Sequence, residues 1–83
     1  MLEQLNTSRK VVGIKQLRKC LKEGQVLRAF IADNADPRLT EPLEEECQRL
    51  GVELIHVPTM AELGKACGIS VGAAAAGQLV CAE

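Results

Sequence analysis

Three short apolar runs, each followed by an amphipathic segment that closes on a glycine, most constrain what this chain can fold into. Residues 10–14 form a short β-branched run broken at Gly13. Residues 15–22 then place Leu17, Cys20 and Leu21 on one face and Lys15, Lys19 and Lys22 on the other, with Gly24 as the stop. Val26–Ala32 is almost continuously apolar, as a buried parallel strand would be, and the turn-forming residues 33–37 end it. A second helix is predicted over 39–50, with Leu43, Cys47 and Leu50 inward, Glu44, Glu45 and Arg49 outward, and Gly51 closing it. Residues 52–57 read as a third strand. Thr59 and Glu62 make the capping box of a third helix over 60–67, terminated by Gly68. This order predicts an α/β fold, a three-layer α/β/α sandwich around a small parallel or mixed sheet. Two stretches are less determined. Residues 1–8 offer Leu2 and Leu5 at helical spacing and little else. In the tail from Ala73 to Val80, four alanines favour helix, whereas Gly72, Gly77 and the apolar end suit a tightly packed strand.

Eighty-three residues, 47% of them hydrophobic, suffice for one domain, 1–83, with an ordinary core. There is no apolar stretch long enough for a membrane span and no leader-like N-terminus, so a soluble cytoplasmic monomer is expected. Cys20, Cys47, Cys67 and Cys81 match no paired zinc or redox spacing and read as reduced, mostly buried thiols. Neither a metal nor a cofactor is expected. Phe30 is the lone aromatic residue, which argues against RNA-binding sheets and single-strand-binding barrels that stack bases on exposed rings.

The formal charge of −1 conceals a strong asymmetry. Arg9, Lys10, Lys15, Arg18, Lys19, Lys22 and Arg28 fall in one twenty-residue window with a single acid, Glu23, for a local charge of +6. Between Asp33 and Glu62, eight acids face only Arg38 and Arg49, for −6. A one-sided basic patch beside a strand-to-helix junction is an electrostatic footprint for a nucleic-acid backbone. The run Glu44 to Glu46 reads as a solvated face. His56 reads as an ordinary strand residue, with no acid or cysteine spaced to orient it.

Three separated segments carry a resemblance: residues 13–19 (GIKQLRK), residues 32–37 (ADNADP) and residues 63–71 (LGKACGISV). Together they resemble the kink-turn-binding ribosomal protein superfamily, which includes the large-subunit proteins seven-Ae and thirty-e, and most closely its short bacterial seven-Ae-like members. The resemblance covers 9–80 and implies the thirty-e-like sandwich. It also implies a non-catalytic protein that recognises and stabilises kink-turns, RNA bends built on tandem sheared G·A pairs, in association with the ribosome or another structured RNA. In the family a glycine turn brings the next helix into the RNA major groove with the pattern Gly-x-Asn-Glu-x-x-Lys. This chain keeps Gly13 and Lys19, and has Lys15 and Gln16 at the middle positions. Lys15 can donate to guanine O6 and N7, and Gln16 offers a donor and an acceptor to a base edge. A second family contact, an apolar loop against a flipped-out nucleotide, corresponds to Ile69, Ser70 and Val71. Where many relatives carry a lysine and an arginine, this chain has Met60 and Val71, which implies fewer phosphate contacts and weaker binding.

From the residues alone, Ile69 and Val71 could also be core at a strand entrance, and the α-helical lysines a solvated face. A protein-interaction module on the same fold is the competing function. An enzyme has little support, since Cys67 with His56 is the one nucleophile-and-base pair that can be drawn.

Overall fold

The computed structural model of the protein describes residues 10–79. Its elements run β1 (Lys10–Val12), α1 (Ile14–Lys22), β2 (Val26–Ala32), α2 (Pro37–Leu50), β3 (Glu53–Val57), α3 (Met60–Ala66) and β4 (Ala75–Leu79). The four strands form one sheet in the order β1-β4-β2-β3. β2 and β3 are parallel, while β4 runs antiparallel to both β1 and β2, so the sheet is mixed.

Alternation along the strands divides the core between the two faces of the sheet. Ala29 and Ile31 join Leu17, Leu21, Leu43 and Cys47 under α1 and α2. Phe30, Ala32 and Val57 join Leu63, Cys67 and Ala76 under α3. The three-layer sandwich follows directly from this period-two sorting.

The ambiguous tail resolves as a strand within 75–79, and its place explains the choice. β4 lies between β1 and β2, so both rows of its backbone groups are satisfied, an outcome that outweighs the helix preference of alanine. Ala75 and Ala76 are fully buried, one under each helical layer, where small side chains let the helices approach the sheet. The predicted readings of 1–8, Arg9 and Cys81 lie outside the described residues.

Two details depart from the sequence reading. α2 begins at Pro37, two residues early, because Asp36 caps it and proline is well suited to the first helical turn. Leu50 is 43% exposed rather than inward. It follows Leu43 and Cys47 on the same helical stripe, but it is the last residue of α2. Leu50 instead lines a surface hollow with Leu21, Val26, Leu27 and Val52.

Candidate nucleic-acid interface

The topology brings the helix starts to one end of the molecule. α1, α2 and α3 follow the C-terminal ends of β1, β2 and β3, and β4 begins at that same end. The connections there are tied together. The Gly13 amide donates to the Ala75 carbonyl (2.9 Å), Ala32 N–H to Ala74 O (3.0 Å), and Ala73 N–H to Met60 O (3.0 Å). The Met60 amide donates to the Asn34 side-chain oxygen (2.8 Å). The β1–α1 junction and the loop before β4 therefore flank a common, hydrogen-bonded surface.

The three helix N-termini differ in what satisfies them. Asp36 accepts from the Arg38 amide in α2, and Thr59 accepts from the Glu62 amide in α3. The cap of α1 is Gly13, which has no side chain to offer. The first amides of α1, at Ile14, Lys15 and Gln16, precede the first residue able to reach an intrahelical carbonyl, since Leu17 N–H bonds Gly13 O at 3.0 Å. Gly13 has φ +108° and ψ 151°, a conformation reserved essentially for glycine, and open space lies where a Cβ would project. The result is an uncapped positive helix end that a polyanion can approach closely.

The outer face of α1 carries Lys15, Arg18, Lys19 and Lys22, all exposed, with Gln16 at its flank. None of the four cations has a salt-bridge partner among the described residues. The arginines elsewhere contrast with them: Arg28 pairs with Glu53 (2.9 Å), Arg38 with Asp36 (2.9 Å) and Arg49 with Glu46 (3.3 Å). The basic patch is therefore smaller than the sequence window suggested. Lys10 and Arg28 occupy β1 and β2 positions in line with Val12 and Phe30, on the α3 side of the sheet and away from α1. Arg28 is also bonded to Gln78 Oε1 (2.7 Å).

The loop after α3 projects its apolar residues outward. Ile69 is 37% and Val71 68% exposed, and Ser70 between them is exposed, so Ile69 and Val71 are not core residues. The loop is fixed by Ile69 N–H to Gly64 O (3.1 Å) and by close packing of the Val71 carbonyl against Gly64, where any Cβ would collide with it. Exposed apolar side chains on a backbone held this firmly can stack on a base without first being ordered.

One sequence reading needs correction. His56 is oriented by an acid after all: its Nδ1 lies 2.8 Å from Asp33 Oδ1. The parallel pairing of β2 with β3 creates this contact across 23 residues, a relation with no local signal in the sequence. His56 and Cys67 do not form a catalytic pair. Cys67 is 3% exposed beneath α3, and His56 alternates with Ile55 and Val57, so it lies across the sheet. Burial also pushes the Cys67 thiol up, away from thiolate reactivity. Cys47 is likewise raised by burial, with Glu46 and Glu44 adding to the effect. Asn34, which anchors the start of α3, was not singled out in the sequence. Its place just after a strand, in a turn, was the available signal.

The model of the ribosomal protein L7Ae/L30e/S12e/Gadd45 family matches residues 2–83. An RNA-binding protein of Caldanaerobacter subterraneus subsp. tengcongensis is 38% identical over 80 residues, spanning 96% of each chain. The large ribosomal subunit protein eL8 of Halobacterium salinarum is 32% identical over 80 residues, covering 90% of this chain and 67% of its own. Among solved structures, the 15.5kD RNA binding protein of Giardia lamblia superposes with a TM-score of 0.88 at 23% identity, covering 96% of this chain and 71% of that one, a likeness of fold.

Proposed function

The chain belongs to the ribosomal protein L7Ae/L30e/S12e/Gadd45 family, and from that premise we propose that it is a non-catalytic RNA-binding protein that recognises and stabilises kink-turns. Relatives of similar length carry the name RNA-binding protein, and a longer one is a ribosomal subunit protein. One observation supports the reading most: among the described helices α1 is the one without a side-chain cap, and its outer face carries four cations with no salt-bridge partner among the described residues. Gly13 admits the RNA backbone, Lys15 and Gln16 address base edges in the widened groove, and Lys19 reaches a guanine edge or phosphate one turn on. Ile69, Ser70 and Val71 receive the extruded nucleotide from the other side of the same surface. With Phe30 fully buried, contact with bases relies on polar edges and aliphatic side chains rather than aromatic stacking.

The test is a titration of the purified protein, in magnesium-free buffer, against a kink-turn duplex and a matched duplex whose G·A pairs are replaced by Watson–Crick pairs. Bending is read by fluorescence transfer. Selective binding and bending are expected, and Lys15→Glu with Lys19→Glu should abolish both. Equal affinity for the two duplexes, or none for either, would overturn the proposal in favour of a protein partner.

A further inference from the structure

We propose that Asn34 is a positioning residue for the extruded nucleotide: its side chain holds the start of α3, and α3 carries the loop of Ile69, Ser70 and Val71. The inference rests on the kink-turn reading above and adds to it a residue that lies outside both contact segments.

The loop is built onto α3 along the length of the helix. Ile69 N–H donates to Gly64 O (3.1 Å), the Val71 carbonyl packs directly on Gly64, and Ala73 N–H donates to Met60 O (3.0 Å). A Cβ at Gly72 would stand 3.1 Å from the Met60 Cβ, so the chain there is seated on the first turn of α3 as well. Any shift or rotation of α3 therefore moves the apolar side chains with it.

α3 is seven residues long, and a helix that short draws its place from tertiary contacts rather than from its own hydrogen bonds. Leu63, fully buried, presses it onto the sheet. Apolar burial is non-directional, however, and specifies sliding and rotation only weakly. A directional tie comes from outside the helix, at its N-terminus. Thr59 satisfies the Glu62 amide, while the Met60 amide, the first of α3, has no acceptor within its own turn. Asn34 Oδ1 accepts from it at 2.8 Å, across 26 residues of sequence.

Asn34 can serve as an anchor because its own backbone is fixed. Asp33 N–H donates to Val57 O (2.7 Å), Ala35 N–H donates to Ala32 O (3.1 Å), and Ala35 is buried. The turn is thus tied to the ends of β2 and β3. Met60 then relays its position, since its amide is held by Asn34 and its carbonyl holds Ala73. Two hydrogen bonds join the sheet to the nucleotide loop, and a loop set in place beforehand binds without the entropy cost of ordering.

The experiment compares Asn34→Ala, which removes the acceptor, with Asn34→Asp, which keeps it. In the free protein, amide hydrogen exchange at Ile69 and Ala73 should quicken in Asn34→Ala, while Leu17 in α1 exchanges as in wild type. A kink-turn RNA carrying 2-aminopurine at the extruded position then reads the loop. At saturating protein its fluorescence anisotropy should fall toward the free-RNA value with Asn34→Ala and return to the wild-type value with Asn34→Asp, the bending amplitude being unchanged in both. Affinity should drop roughly two- to tenfold in Asn34→Ala, the range set by one lost hydrogen bond. Loop exchange and anisotropy that stay at wild-type values in Asn34→Ala would overturn the inference and leave kink-turn recognition intact. Loss of anisotropy in both variants would also overturn it, because the amide donors of Asn34, and not its hold on Met60, would then be what the nucleotide requires. A wild type that fails to discriminate the kink-turn from its Watson–Crick control would overturn the functional reading, and the inference with it, whatever the loop exchange shows.

Discussion

Gly13 combines two requirements that pull in the same direction. Its φ of +108° excludes an ordinary residue on backbone grounds, while the empty space before it leaves room for a ligand rather than a side chain. Gly13→Ala should therefore cost about 1–3 kcal/mol of stability through strain alone, read from the urea midpoint, and should weaken RNA binding by more than the same substitution at an exposed α1 position. A stability loss without any binding loss would remove Gly13 from the interface. Asp36 makes a different kind of prediction. The Arg38 side chain and then the Arg38 amide hold its carboxyl below the usual 3.8. A carboxyl lowered on folding stabilises above its unfolded value, and the effect fades as pH falls through its folded value. Asp36→Asn retains a cap but loses the ion pair. Its urea midpoint should lie below that of wild type at pH 7 and converge with it below pH 3.8. A gap that stays constant into acid would mean that the Arg38 contact contributes nothing.

Among the helices, α2 shows where periodicity informs and where it stops. Leu43 and Leu50 share one stripe, yet Leu43 is fully buried and Leu50, at the last position of the helix, is exposed. Leu43→Ala should cost about 2–5 kcal/mol, and Leu50→Ala about 1 kcal/mol, as the shifts in denaturation midpoint will show. Comparable losses would place Leu50 in the core. A helical stripe specifies which face is apolar; how far the partner layer extends beneath it depends on strand pairing, which no local pattern encodes. The same division applies throughout. The three strand-helix alternations, the Thr59 cap and the basic α1 face are local patterns, and each was legible. The strand at 75–79 owes its state to neighbours 44 to 68 residues away in sequence, so its own residues left helix and strand open. The Asp33–His56 contact and the separation of Lys10 and Arg28 from α1 also arise from pairing. At the candidate interface the residue types were readable from the resemblance. The absence of a cap on α1, against caps on α2 and α3, emerged only from the structure.

At the scale of the molecule, the basic and acidic helices are neighbours on the same face of the sheet. α1 presents four cations without a salt-bridge partner among the described residues, while α2 exposes Glu41 and Glu45 and keeps Glu46 partly covered beside Arg49. A polyanion approaching this face meets repulsion from α2 and attraction from α1, which steers it toward the α1 end. The same repulsion weakens unspecific adhesion of duplexes that could otherwise lie flat across both helices. Such a device raises specificity at a cost in overall attraction, which reconciles the proposed function with a formal charge of −1. Glu41→Gln with Glu45→Gln should then raise the association rate for a kink-turn RNA by roughly two- to fivefold at low salt, in stopped-flow fluorescence, with little change in dissociation. Affinity for the control duplex should rise by a larger factor, so discrimination falls. Because these carboxylates act through solvent, both effects should vanish near 1 M salt, where screening shortens to about 3 Å. An unchanged association rate at low salt would show that the α2 acids serve solubility alone, and that α1 does not depend on its neighbour to exclude the wrong RNA.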